Sequence, residues 1–151
     1  MVEGSLNIEG LRNKIGVEWK LGAYEIEKGL IQRFVQAIDD PNPLWQNEEY
    51  ANKSRYGGII ARPTFIQSIG GEQFGQMLDS IPCKGILNGG VEFEFYQPIK
   101  LGDIVTSTAK MVNIREREGK MGKMAIITFD ITYINQRQEV IAVSHQTLIY
   151  Y

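Results

Sequence analysis

Residues 87–150 read as four β-strands in a row, and that run decides most of what the chain can become. Val91, Phe93 and Phe95 alternate with Glu92 and Glu94. This period of two puts apolar side chains on one face and charges on the other. Residues 97–103, QPIKLGD, carry turn chemistry. A long strand follows over 104–115, then a charged hairpin around Glu118-Gly119-Lys120. The return strand, 124–134, has Ile127, Phe129, Ile131 and Tyr133 on one face. Residues 135–138 turn again, and 140–150 make the last strand. Four strands in series with short turns predict an antiparallel meander.

The first half of the chain supplies helices to cover that sheet. Residues 5–14 predict a short helix capped by Ser5, with Leu6, Ile8 and Leu11 on its apolar side, within a helical extension over 1–16. Residues 17–21 and 24–26 read as extended, separated by Gly22. Over 27–38, Leu30, Ile31, Phe34, Val35 and Ile38 recur at helical spacing. Pro41 and Pro43 stop that helix, because Asp40 and Asn42 precede prolines and are pushed out of the helical region. Residues 48–52 add a helical turn, and Tyr56-Gly57-Gly58 turns the chain. Pro63 suits a first helical position, and 64–78 reads as a central helix. Gly70, Gly71 and Gly75 lie inside it. They fit either close approach to a sheet or a break into two helices at Gly70-Gly71. The order predicts an α+β fold, a curved antiparallel sheet wrapped around a central helix, as one domain over 1–151. Open sheet edges predict pairing with another chain.

Bulk properties narrow the function classes. The 151 residues are 43% hydrophobic and 23% charged, with net charge −2, so no electrostatic footprint for nucleic acid or an anionic membrane is visible. The basic run over 115–123 is interleaved with Glu116 and Glu118 and reads as a solvated hairpin tip. One cysteine, Cys83, excludes an internal disulfide and a cysteine-rich zinc site, and reads as a buried apolar residue. The first residues, MVEGSLNIEG, lack a secretory pattern, and no apolar run approaches a membrane span. A cytoplasmic location is the expectation.

Three motifs then agree in order. Ala37-Ile38-Asp39-Asp40-Pro41-Asn42-Pro43-Leu44-Trp45, with Ala51 downstream, is the first. Gly57-Gly58-Ile59-Ile60-Ala61-Arg62-Pro63-Thr64-Phe65 is the second, and Pro98-Ile99-Lys100-Leu101-Gly102-Asp103 the third. Together they resemble the MaoC-like hydratases and dehydratases of the hotdog fold, from about Leu21 onward. The resemblance implies action on thioesters of coenzyme A or acyl carrier protein, with no metal or redox cofactor. It implies a partner hotdog chain or a homodimer, with neither nucleic acid nor membrane involved.

Two departures bear on the chemistry. The family pairs an aspartate, here Asp40, with a histidine five positions on, where this chain has Trp45. Histidine titrates near neutral pH and both donates and accepts, whereas indole only donates. The family also presents a backbone N–H near the entry to its central helix, where this chain has Pro63, which has none. These departures resemble the non-catalytic hotdog half or subunit, which shapes the pocket while a partner supplies the catalytic pair.

The resemblance therefore implies no catalytic residue here, and a substrate-binding set of Asp40, Asn42, Trp45, Tyr56, Gly57, Gly58, Arg62, Pro63, Thr64 and Phe65. Alternatives stand beside it. Asp40 is either a surviving acid or a turn former, and Asn42 suits a turn. Trp45 lines an acyl tunnel or packs the core. Arg62 meets a pantetheine or phosphate or is solvated. His145 reads as structural. Glu72 invites comparison with hotdog thioesterases, but its surrounding motifs do not match. The leading expectation is a pocket subunit of a 2-enoyl-thioester hydratase or 3-hydroxyacyl-thioester dehydratase. The alternatives are a self-sufficient homodimeric hydratase using Asp40, and an acyl-thioester-binding or assembly protein without a reaction.

Overall fold

The computed structural model describes residues 5–120 and 122–151. Its elements are α1 (Ile8–Arg12), β1 (Glu18–Glu25), α2 (Lys28–Ala37), α3 (Glu48–Lys53), α4 (Gly71–Asp79), β2 (Ile86–Phe95), β3 (Ile104–Gly119), β4 (Gly122–Ile134) and β5 (Val140–Tyr150). Two 3-10 segments, Pro43–Trp45 and Pro63–Ser68, lie before and after α3. Asn7, not Ser5, caps α1, its side-chain oxygen accepting from the Gly10 N–H at 2.9 Å. Of the helical extension expected over 1–16, the described residues form this short helix, Ile8–Arg12, and residues 1–4 lie outside the described part.

All five strands form one antiparallel sheet, ordered β1-β3-β4-β5-β2. The expected four-stranded meander is therefore corrected. Strands β3, β4 and β5 are consecutive neighbours, while β2 pairs with β5 on the far side. The reason lies in the 96–103 connection. It crosses to the other end of the meander and pairs with the segment ahead of the central helix, Ala61 N–H to Ile99 O at 2.8 Å and Leu101 N–H to Ile59 O at 3.1 Å. Residues 17–26 are not two extended pieces; β1 is continuous, with a register shift between Lys20 and Gly22 and Gly22 at φ +111. Such bulges increase local twist and help a sheet to curl.

The central helix breaks. Pro63–Ser68 is 3-10, Gly70 is left-handed at φ 73, and the α-helix proper starts at Gly71. Both glycine readings hold at Gly70. It makes the break, and a Cβ there would lie 2.6 Å from Ser107 Oγ and 3.2 Å from Leu21 Cβ. Gly71 and Gly75 have open space around them and need no such explanation. The sheet curves around this segment. Phe74 stacks edge-on against Phe129 of β4 (centroids 5.6 Å), and the Tyr24 hydroxyl of β1 bonds Gln73. Phe74 and Met77 pack against two apolar clusters at once, one around Ile66 and Val105, the other around Ile127 and Tyr150. The hairpin of β3 and β4 places Glu116 and Lys123 2.7 Å apart at its exposed tip, as a solvated mixed-charge run should.

Candidate functional site

The proline corner begins with a helix stop that precedes both prolines. Asp39 sits in the left-handed region at φ 53. Its N–H bonds Gln36 O at 3.2 Å, and the Asp40 N–H bonds Val35 O at 2.9 Å. This is the paired closure of a helix whose first residue beyond the cap is left-handed. Aspartate tolerates that conformation better than most side chains. Two side-chain turns follow in tandem. Asp40 Oδ1 accepts from the Asn42 N–H at 3.1 Å, and Asn42 Oδ1 accepts from the Leu44 N–H at 3.0 Å. The other Asp40 oxygen, Oδ2, lies 3.2 Å from Arg62 Nε. Gln46 Nε2 donates to the Asp40 carbonyl at 2.7 Å. Both carboxylate oxygens of Asp40 are thus engaged in holding the corner, and Arg62 is the partner of Asp40.

Trp45 ends the first 3-10 turn and is buried. It belongs to the larger apolar cluster and also lines a cavity of about 370 Å³. Its indole N–H is buried with no hydrogen-bond partner among the described residues. The cavity walls are mostly apolar: Leu44, Ile60, Pro63, Phe95, Pro98 and Ile141, with Arg55, Tyr56, Tyr96 and Gln97 adding polar atoms. Tyr56 receives a 2.7 Å hydrogen bond from Arg55 Nη2. Gly57 turns at φ 68. It lies with Gly58 in a second, more polar hollow beside Glu48, Asn52 and Lys100.

At the helix entry, Pro63 has no N–H, and the Phe65 N–H is already bonded to Arg62 O at 2.9 Å. The expectation of a central α-helix opening at Pro63 is corrected, since six 3-10 residues stand there. Thr64 is half-buried. Phe65 is buried, edge-on to Phe34 at 5.4 Å.

Of the ten residues expected to bind substrate, the cavity brings together Trp45, Tyr56 and Pro63. Asp40, Asn42 and Arg62 form the corner behind it, and Phe65 is core. Sequence reasoning missed Phe95, Tyr96, Gln97 and Ile141. The run of aromatics closing β2 was the available signal.

Chemically, this cavity is poor in proton-transfer groups. The Tyr96 phenol donates to Glu94 Oε2 at 2.6 Å, which holds its pKa above the ordinary value. It is thereby further removed from acting as a base near neutral pH. Cys83 is buried outside the cavity, and burial pushes its thiol pKa up, leaving it protonated. Glu72 on α4 is exposed and also lies outside it. Among the described residues, no group of three or more His, Cys, Asp and Glu side chains is arranged to hold a metal. No helix among them is long and apolar enough to cross a membrane.

His145 lies away from the cavity, on the outer face of the sheet, its Nδ1 2.7 Å from Asp130 Oδ1. The hydrogen bond to Asp130 raises its pKa above 6.5, with Glu94 and Glu92 adding to the shift. The pair's contribution to stability is complete below the unfolded value of about 6.5. It is lost as pH rises through the higher folded value. Urea unfolding between about pH 5.5 and 8 should therefore show stability falling with pH, and His145→Gln should flatten that slope.

A curved five-stranded antiparallel sheet around a broken central helix, with a proline corner and an apolar cavity beside it, is a MaoC-like hotdog fold. The chain belongs to the family described as FAS1-like, dehydratase domain region, which matches residues 13–144. It is similar to the UPF0336 protein of Thermobifida fusca, 30% identical over 100 residues, with 64% of this chain and 66% of that protein covered. The match thus spans just under two thirds of that relative's length. It is also similar to the probable enoyl-CoA hydratase alpha subunit of Thermomonospora curvata, 24% identical over 149 residues, with 87% of this chain and 47% of that protein covered. Among solved structures, the C-terminally truncated HadBC complex of Mycobacterium tuberculosis, a 3R-hydroxyacyl-ACP dehydratase, matches at TM-score 0.78. Identity there is 20%, over 90% of this chain and 96% of that one.

Proposed function

We propose that this chain is the pocket-forming subunit of a 2-enoyl-thioester hydratase or 3-hydroxyacyl-thioester dehydratase, acting with a partner hotdog chain that supplies the catalytic pair. The observation that carries the reading is Trp45, a buried indole where the resemblance puts the acid–base histidine. Asp40 supports it, with one oxygen on the Asn42 N–H and the other beside Arg62. Hydration places a hydroxyl on C3 of the enoyl group and a proton on C2, so a group must take a proton from water and one must be delivered to carbon. No histidine lines the cavity, and the Tyr96 pKa is shifted the wrong way for that exchange. The apolar walls suit an acyl chain carried by coenzyme A or acyl carrier protein, with Trp45, Tyr56 and Pro63 at its surface. The one-sided edge of β2 suits a partner chain. That HadBC, a 3R-hydroxyacyl-ACP dehydratase, is a complex is in keeping with a role beside a second chain.

The test is turnover of crotonyl-CoA and longer enoyl-CoAs by the purified chain, alone and mixed with a hotdog chain carrying an intact Asp-x-x-x-x-His. The expected result is background turnover alone and a gain in the mixture, on longer substrates, of roughly 10²-fold or more. Appreciable turnover by this chain alone, abolished by Asp40→Ala, would overturn the reading in favour of a self-sufficient hydratase. Thioester binding without turnover in any mixture would favour a binding protein.

A further inference from the structure

Among the described residues, strand β2 is bonded along one side only, to β5. Its two faces differ sharply. Phe93 and Phe95 stack with centroids 5.7 Å apart on the inner face, where Val91 and Phe93 line a hollow against α4. Val91 and Phe95 stay 38% and 46% exposed, so this stripe lacks a complete cover. Glu92 and Glu94 point to the outer face, where Glu92 stands opposite His145 and Glu94 Oε1 lies 3.8 Å from His145 Nε2.

A second copy could pair with this edge only antiparallel, about a two-fold axis. Phe93 is the midpoint of Val91 and Phe95, and equally the midpoint of Glu92 and Glu94. The register that lays Val91 of one copy against Phe95 of the other therefore lays Glu92 of each copy against Glu94 of the other. Moving the axis by one residue sets Glu92 or Glu94 directly against itself. Moving it to Val91 puts Phe93 opposite Gly89 and gives up the aromatic contact. Like charges directly across a strand pair destabilise it.

The charges behind the edge give little relief. The row across the outer face runs Glu18, Lys110, Asp130, His145, Glu92. Lys110 is three strands in from Glu92 and pairs with Glu18 at 3.0 Å. His145 already faces Asp130.

We infer that the β2 edge selects a hotdog chain of different sequence, one whose own edge strand carries lysine or arginine on the outer face opposite Glu92 and Glu94 and apolar side chains on the inner face. The inference rests on the proposed role as one subunit of a pair, and it names the chemistry by which that pair forms. Apolar contact supplies area, and the two carboxylates decide between self and partner.

A charge-reversed copy stands in for the partner. The Glu92→Lys, Glu94→Lys chain is mixed with the wild-type chain, and dimer dissociation constants are measured by sedimentation for both chains alone and together. Both positions are exposed, and circular dichroism checks that the fold is kept although Glu94 loses its Tyr96 and His145 contacts. The mixed dimer should be tighter than either same-sequence dimer by roughly tenfold at low salt, with the advantage shrinking at about 0.5 M salt. The neutral Glu92→Gln, Glu94→Gln chain should self-associate more tightly than wild type. The inference is overturned if the wild-type dimer is as tight as the mixed one, or if no dimer forms in any sample. Failure here alongside a positive enoyl-CoA assay removes the charge selection alone. A silent assay alongside a tighter mixed dimer removes the pocket-subunit role alone.

Discussion

Trp45→Ala should cost about 3–5 kcal/mol of folding stability, because it empties the volume of a buried indole that joins the cavity wall to the main apolar cluster. In a chain of this size that lowers the melting temperature by roughly 2–4 °C per kcal/mol. Trp45→Phe separates packing from hydrogen bonding. It keeps most of the apolar contact and removes an N–H that has no partner among the described residues. Its cost should be smaller, about 1–2 kcal/mol. Thermal melts of the three chains test this order. A Phe variant as unstable as the Ala variant would mean that the N–H has a partner, such as a trapped water, that supports the corner.

Asp103→Ala should be nearly as damaging, by about 3 kcal/mol. Asp103 is 3% exposed and joins two turns. Its Oδ2 accepts from the Lys100 N–H at 2.9 Å within its own loop, and its Oδ1 accepts from Gln136 Nε2 at 3.0 Å in the β4–β5 turn. Removing the carboxylate leaves both donors without their partner and loosens the loop that pairs with Ile59 and Ala61. Asp103→Asn keeps the shape and one acceptor and should lose about half as much. Denaturant unfolding measures the difference, and equal losses for Asn and Ala would refute the role of the second acceptor.

The local parts of this fold were legible because they are written in short-range patterns. The 3.6-residue spacing of Ile31 and Val35 marks α2, and both are buried. The period of two marks each long strand. Pro41 and Pro43 marked the corner, although the actual stop is the left-handed Asp39, which no spacing rule singles out. The place of β2 was not legible. Periodicity tells which face of a strand is apolar and says nothing about its neighbour, which here depends on where the 96–103 connection crosses. The cavity was half legible for the same reason. Trp45, Tyr56 and Pro63 come from the motif-bearing half, while Phe95, Tyr96, Gln97 and Ile141 arrive through strand order. The sequence leaves Arg62 a lone solvated or ligand-facing cation, and its closeness to Asp40 is a contact across 22 residues that only the folded chain brings about.

Phe95 is both a cavity wall and the last residue of the open edge strand. The two roles cannot vary independently. A chain lying along β2 would sit beside the Phe95 ring, and a ligand in the cavity would touch the same ring. Under the proposed function, thermodynamic reciprocity would apply: any factor by which a docked chain changed acyl affinity would equal the factor by which a bound acyl group changed docking. Substrate would act as a component of the assembly equilibrium, and subunit affinity measured without it would describe only one limb of the cycle.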